Sequence, residues 1–429
     1  MTSIQLDMIQ TAGIGALALI VGMVLTRKVA FLQKFCVPSP VSGGIIFSLI
    51  TLMLYGWCDV EVSFDGTLKD VFMLAFFTSV GFQSDLKVLK QGGKLLVIML
   101  TLLVVMIALQ NLMPMGITKL LGVDPLIGMA AGSISMTGGH GTAGGFASVL
   151  ESMGLHGAGT IGMAAATFGL IAGSMIGGPL AERIIRTKLT HEQMQPQDEE
   201  IDPAMAGIES DEASPAGREK RISTNELEFQ QYAKASYGIL LVMGGGTLLS
   251  WLFAKTGITF PTYFGALILA AIVRNVIGFV SYKEDDGEDQ SSGKWEKAEK
   301  LLDMERIISV GNICLSLFLG MAMISLKLWE LQSLALPLII ILASQVLMMA
   351  LFSYMVAFPL LGRDYDAAVL CAGMCGFGLG ATPNAMANMS AVCYKYRYTV
   401  KPFLIVPIIG AMFADLTNTG MITLFLNIL

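Results

Sequence analysis

The confinement of charge is what most limits how this 429-residue chain can fold. Of its 60 formally charged side chains, 19 lie in residues 182–234 and 14 in residues 283–306, which leaves 27 spread thinly over the other 352 residues. A soluble domain carries charge at about 25% of its positions, against 14% here. Outside the two charged segments there are too few charged groups to cover a soluble surface, and the mean hydropathy of the whole chain is +0.68. Most of the chain therefore belongs in lipid.

Ten apolar stretches are long enough to cross about 30 Å of hydrocarbon. Five lie near 9–26, 40–57, 68–83, 94–113 and 157–182, and five near 235–254, 261–280, 306–326, 334–358 and 402–428. The N-terminus carries no lysine or arginine before the first stretch, so that stretch is expected to remain as a span rather than be removed as a signal peptide. Lysine and arginine gather on the cytoplasmic side of membrane proteins. With the N-terminus outside, 23 of the 27 basic residues fall inside, and only Lys69, Lys119, Lys255 and Lys327 fall outside. Both termini are accordingly expected on the outer face.

The net charge of −6 excludes a basic surface for nucleic acid. The six cysteines, at 36, 58, 314, 371, 375 and 393, have no paired metal spacing and read as apolar packing residues. With His156 at a span end and His191 in the central segment, no metal cluster is expected. No pairing of nucleophile and base is visible, so the chain does not read as an enzyme.

Since each set has an odd number of spans, the second set begins on the opposite side from the first, and any likeness between them is an inverted repeat. PSPVSGGIIFSLI from Pro38 parallels FPTYFGALILAAI from Phe260, and SDLKVL from Ser84 parallels ISLKLW from Ile324. Between the fourth and fifth span of each set lies a glycine-rich stretch, 125–150 and 365–393, opening near Asp124 and Asp366. The reading is an all-α polytopic membrane protein of two inverted five-span repeats, residues 1–186 and 235–429, each with a re-entrant hairpin. An acidic linker, 187–234, cannot bury a core and joins the halves. A connector, 281–305, is either a solvated loop or an amphipathic surface segment around Trp295.

The glycine-rich stretches carry the function. Their backbone would leave unpaired polar groups in lipid, so they must line protein or a wet cavity. Breaks at Gly138, Gly139 and Gly141 would expose N–H groups for an anion. The hydroxyls of Ser135, Thr137 and Thr142 suit a sodium ion, which takes oxygen ligands. The second break, after Gly376, Gly378 and Gly380 and fixed by Pro383, offers Thr382, Asn384 and Asn388. Close helix packing is a competing use of glycine, and accounts best for Gly169, Gly173 and Gly177. His140, at membrane depth, is either a substrate or proton site or a hydrogen-bonded structural residue. Asp415, followed by Thr417, Asn418 and Thr419, reads as a cation ligand or a helix-interface group. Asp85 reads as a wet interfacial carboxylate. Arg274 either forks onto a substrate carboxylate or snorkels to the inner interface.

PSPVSGG from Pro38, TGGHGTAGGF from Thr137 and GFGLGATPNAMANM from Gly376 resemble the glutamate:sodium symporter family, over nearly all the membrane part. The resemblance implies sodium-coupled uptake of L-glutamate across a bacterial inner membrane by an elevator-type homodimer, with sodium as the co-transported ion and no organic cofactor. Family pore-loop glycines carry onto Gly138, Gly139 and Gly141 and onto Gly378 and Gly380, while Asn384 stands where a threonine is expected. Together these readings give as substrate contacts Thr137 to Thr142, Gly378, Gly380, Thr382, Pro383, Asn384 and Arg274, and as sodium contacts Ser135, Asn388, Asp415 and Asn418. A symporter of another carboxylate, or a sodium/proton exchanger using Asp415 and His140, is the alternative.

Overall fold

A computed structural model describes residues 2–84, 93–189, 220–282 and 303–429. Asp85, His191, Trp295 and most of the linker and the connector lie outside the described residues. In chain order the elements are β1 (Thr2–Leu6), α1 (Met8–Lys28), α2 (Ala30–Lys34), α3 (Ser39–Cys58), β2 (Val60–Phe64), α4 (Thr67–Gln83), α5 (Gly93–Leu121), α6 (Pro125–Ala130), α7 (Gly139–Ser152) and α8 (Ala158–Lys188). Then come α9 (Lys220–Ala254), α10 (Phe264–Tyr282), α11 (Met304–Ile324), α12 (Ala335–Phe352), α13 (Phe358–Leu360), α14 (Tyr365–Leu379), α15 (Thr382–Lys395), α16 (Lys401–Ile408) and α17 (Ala414–Leu426). A π turn, Ser353–Ala357, joins α12 to α13, and another, Ile409–Phe413, joins α16 to α17.

Each of the ten apolar stretches is helical. Among the described residues, seven helices are long and apolar enough to cross a membrane: α1, α3, α5, α8, the 228–254 part of α9, α11, and the run from Ala335 to Leu360. The third stretch forms only the 17 residues of α4, and the last is divided by its π turn. Large apolar side chains such as Ile20, Leu241 and Leu347 are exposed on α1, α9 and α12, as suits helices whose outer faces meet hydrocarbon rather than water.

Helices begin where the sequence supplies a cap. The Asp7 carboxylate accepts from the Gln10 N–H while the Gln10 side chain accepts from the Asp7 N–H, closing a reciprocal cap on α1. Asp124 caps α6 through the Leu126 N–H at 2.8 Å, with Pro125 pre-set for the first turn. Asp364 caps α14 through the Ala367 N–H at 2.7 Å. The acidic residue opening the second glycine-rich stretch is thus Asp364; Asp366 instead accepts from the Thr399 hydroxyl at 2.6 Å.

The sequence reading did not foresee the small parallel sheet in which Thr2 to Leu6 of β1 pair with Val60 to Phe64 of β2. It fastens the start of α1 to the end of α3. On the same side the Lys327 ammonium donates to Glu61 at 2.9 Å, and this bond holds the lysine above its ordinary pKa, while burial raises the Glu330 carboxyl.

Glycine sets the closest crossings. A Cβ on Gly22 would overlap the Ser39 carbonyl, and one on Gly43 the Ala18 carbonyl, so α1 and α3 meet backbone to backbone. The first two helices of the second half repeat this crossing: a Cβ on Gly246 would strike Ala266 of α10, and one on Gly265 the backbone of Gly246. The stripe Gly169, Gly173 and Gly177 of α8 lies against Leu379, Cys375 and Ala372 of α14, the small-residue packing expected of it. Within the second broken helix, Gly376 faces Ala385 and Gly373 faces Met389, so α14 and α15 run antiparallel as a hairpin. All six cysteines are free thiols, with Cys314, Cys371, Cys375 and Cys393 buried.

Overpacking a helix crossing costs about 1–3 kcal/mol, and more where the obstructing atom is backbone. Gly43→Ala is therefore expected to lower the melting temperature in detergent by several degrees. Gly56→Ala, on the same helix with nothing within 4 Å of its Cβ position, should leave it unchanged or slightly raised. Thermal unfolding of the two variants side by side checks this.

Candidate functional site

The two glycine-rich stretches meet at their breaks. In the first, α6 ends at Ala130 and a run of turns leads to α7, which begins at Gly139 with φ of +59°. That backbone favours glycine. In the second, Gly380 and the extended Ala381 separate α14 from α15. The Cβ position of Gly139 lies 3.3 Å from the Gly380 carbonyl, so the breaks touch.

A side chain from α5 holds them there. The Gln110 amide donates to the Gly378 carbonyl at 2.5 Å, and its oxygen accepts from the Thr137 hydroxyl at 2.6 Å. Gln345 of α12 donates to the Gln110 carbonyl at 2.8 Å. All three side chains are buried, where each satisfied polar group replaces a desolvation penalty. Sequence reasoning missed Gln110, although two adjacent amides, Gln110 and Asn111, in an otherwise apolar span are a signal that something must pair with them.

Beside this junction lies a cavity of about 290 Å³. One wall is formed by Thr137 to Thr142 of the first break and by Gly380 to Pro383 of the second, with Asp415 behind them. The lining also includes Phe76, Val80 and Gln83 of α4 and Asn312, Leu315 and Leu319 of α11. Neither Gly138 nor Ala381 provides a side-chain cap. The first N–H groups of a helix have no partner within it, so α7 and α15 both turn a partly positive end toward the cavity.

The predicted residues fall into two groups. Thr137, Gly138, Gly139, His140, Gly141, Thr142, Gly380, Thr382, Pro383 and Asp415 line the cavity, whereas Gly378, Asn384, Arg274, Ser135, Asn388 and Asn418 do not. The Asn384 amide donates to the Leu170 carbonyl at 2.8 Å and the Ser174 hydroxyl at 2.7 Å, and Asn388 donates to the Gly173 carbonyl at 2.9 Å. Both asparagines fasten α15 to α8. The Ser135 hydroxyl bonds the Ala130 and Gly162 carbonyls. Asn418 donates to the Ser133 carbonyl at 3.0 Å, tying α17 to the first break. Arg274 is a half-buried residue of α10.

His140 Nε2 lies 3.0 Å from the Thr167 hydroxyl, which itself donates to the Met163 carbonyl at 2.8 Å. With the threonine proton committed, Nε2 is the donor and Nδ1 keeps the lone pair. Asp415 makes no hydrogen bond or ion pair with any described residue.

A second cavity, of about 400 Å³, is lined by Lys69, Glu151, His156, Lys327 and Glu330 among others. The Cβ position of Gly144 on α7 meets the Phe318 ring of α11, with Met163 at 2.9 Å. Gly144, Phe318 and Met163 line the second cavity while Gly141, Leu315 and Leu319, within a helical turn of them, line the first. This packed apolar layer separates the two spaces.

A sequence profile for the sodium/glutamate symporter matches residues 4–398. The sodium/glutamate symporter of Escherichia coli (strain K12) is 38% identical over 431 residues, covering 98% of each chain. The chain belongs to the sodium/glutamate symporter family. The symporter of Shigella flexneri matches equally, and that of Haemophilus influenzae is 36% identical over 414 residues, 96% of this chain and 95% of its own. Family members are transporters rather than enzymes, and the helices described above make this one a multi-pass membrane protein.

Removing one partner of a buried hydrogen bond costs about 1–3 kcal/mol. Thr137→Val leaves the Gln110 oxygen without its donor and is expected to lower the melting temperature, while Thr137→Ser, which keeps the hydroxyl, restores most of it. Thermal melts of both variants read the difference.

Proposed function

We propose that this protein carries L-glutamate with sodium across the bacterial inner membrane by alternating access. The observation that carries this reading is the convergence of two uncapped helix N-termini, those of α7 and α15, on one cavity beside the unpaired Asp415 carboxylate. Helix N-termini favour anions. A carboxylate at membrane depth favours a cation. A site with both features binds an acidic amino acid well only when sodium accompanies it, because the ion offsets the repulsion between Asp415 and the anionic substrate. Gly139 to Gly141 and Thr382 offer the substrate N–H and hydroxyl groups, the Gly138 N–H being taken by the Ser133 carbonyl, and His140 keeps an acceptor at Nδ1.

The halves are read as inverted repeats and the broken helices as re-entrant hairpins. Support comes from the paired glycine crossings at Gly22 and Gly43 and at Gly246 and Gly265, and from the aspartate caps at Asp124 and Asp364. With Arg27 and Lys28 at the end of α1 on the cytoplasmic side, both termini are periplasmic. The cavity, bounded by Pro38 and Gln83 at that side, belongs to an inward-facing state closed outward by Phe318. In the elevator reading α1, α3, α9 and α10 form the scaffold and the hairpins slide past α4 and α11, with two copies forming a homodimer.

Uptake of labelled L-glutamate into proteoliposomes, with and without an inward sodium gradient and competed by aspartate and citrate, tests the reading. Accumulation that requires sodium and is blocked only by glutamate is expected. Competition by citrate would assign another carboxylate, and proton release on adding sodium without organic substrate would indicate exchange. Asp415→Asn should weaken the sodium dependence of uptake.

A further inference from the structure

Several buried oxygens near the cavity have no protein hydrogen-bond partner within ordinary geometry among the described residues. They are the hydroxyls of Thr142 on α7, Thr419 on α17 and Tyr263 just before α10, and the Asn418 side-chain oxygen. Asp415, Asn418 and Thr419 follow one another at helical spacing and share a face of α17. The Cβ position of Gly138 lies 2.6 Å from the Thr142 hydroxyl and 2.7 Å from the Asn418 amide nitrogen, which brings α7 and α17 together at that point. Because this nitrogen donates to the Ser133 carbonyl, the amide oxygen is left as an acceptor. The Tyr263 ring stacks on Phe77 at 3.6 Å and packs edge-on against Phe146, and its hydroxyl faces the Thr419 hydroxyl with the Asp415 carboxylate nearby.

Ordinary packing does not account for this arrangement. A buried hydroxyl without a partner costs free energy, and a carboxylate at membrane depth costs more. Here they stand together, with no lysine or arginine of the described residues paired to Asp415. One cation satisfies all of them at once. Neutral hydroxyl and amide oxygens around a single carboxylate suit a monovalent ion, since divalent sites draw on more carboxylates.

We propose that Asp415, Asn418 and Thr419 of α17, Tyr263 and Thr142 of α7 form a sodium site at the edge of the substrate cavity. The inference rests on the sodium-coupled reading above and deepens it by naming the ligands. Thr142 lies one turn beyond Gly138, so an ion drawing on its hydroxyl also orders the N-terminus of α7, where the anion docks. Substrate binding then depends on sodium through the backbone of α7 as well as through charge.

The test is sodium-dependent thermal stabilisation of the purified full-length protein without glutamate, titrating sodium chloride against choline chloride at constant ionic strength. Ligand binding to the folded state raises its stability by mass action. The variants are Tyr263→Phe, Thr419→Val and Thr142→Val. Thr142→Val removes a hydroxyl with no hydrogen-bond partner among the described residues, and Tyr263→Phe and Thr419→Val remove at most the contact between those two hydroxyls, so a purely structural role predicts an unchanged response to sodium in all three. The proposal expects folded variants whose half-saturating sodium concentration rises tenfold or more, with glutamate uptake recovering as sodium is raised. Wild-type stabilisation by sodium that all three variants retain at the same half-saturation overturns the site and leaves the sodium-coupled reading standing. Stabilisation by lowered pH and not by sodium assigns the cluster to a proton and also overturns it. Wild-type glutamate uptake indifferent to sodium overturns the coupled reading itself.

Discussion

The Gln110 side chain makes the site possible. Two broken helices inside an apolar bundle leave carbonyls and N–H groups that lipid cannot satisfy. Gln110 donates to the carbonyl of Gly378 in one broken helix and accepts from Thr137 in the other, while Gln345 secures the Gln110 backbone. An amide is suited to this because it carries a donor and an acceptor on one rigid group. The junction takes up some of the exposed polar groups and leaves the uncapped starts of α7 and α15 turned toward the cavity.

Glycine does two different things around this junction. At Gly139, with its positive φ, it permits backbone that other residues resist. At Gly22, Gly43, Gly246 and Gly265, and along the stripe of α8, it removes side chains so that helices approach backbone to backbone. In a bilayer the hydrophobic effect does not press helices together, and close contact of this kind supplies the association instead. The same residue type thus builds both the broken tips and the helix pairs around them.

The polar groups at membrane depth are likewise of two kinds. Asn384, Asn388 and Ser135 spend their hydrogen bonds on neighbouring backbone and fasten α15 and the first break to α8. Asp415, Tyr263, Thr419 and Thr142 do not. All are polar residues in apolar surroundings, and composition does not separate them. What distinguishes them is whether a carbonyl from another element lies within reach.

The ten apolar stretches were legible in the chain, because hydropathy and length are local properties and lipid demands that each such stretch become helix. The breaks at Gly138 to Gly141 and at Gly380 were legible for a similar reason, since glycine and proline act on their own backbone. The family resemblance followed from the same motifs. Gln110 and Tyr263 were not singled out, and neither was the pairing of β1 with β2, because their roles depend on partners 27 to 268 residues away or on another element's surface. The sequence by itself determined where its apolar helices lie and where two of them break. Only the tertiary structure decided that the two breaks touch, which oxygens are claimed by backbone and which are left for a ligand, because hydrogen-bond partnership at membrane depth is a matter of distance between elements that the order of residues does not contain.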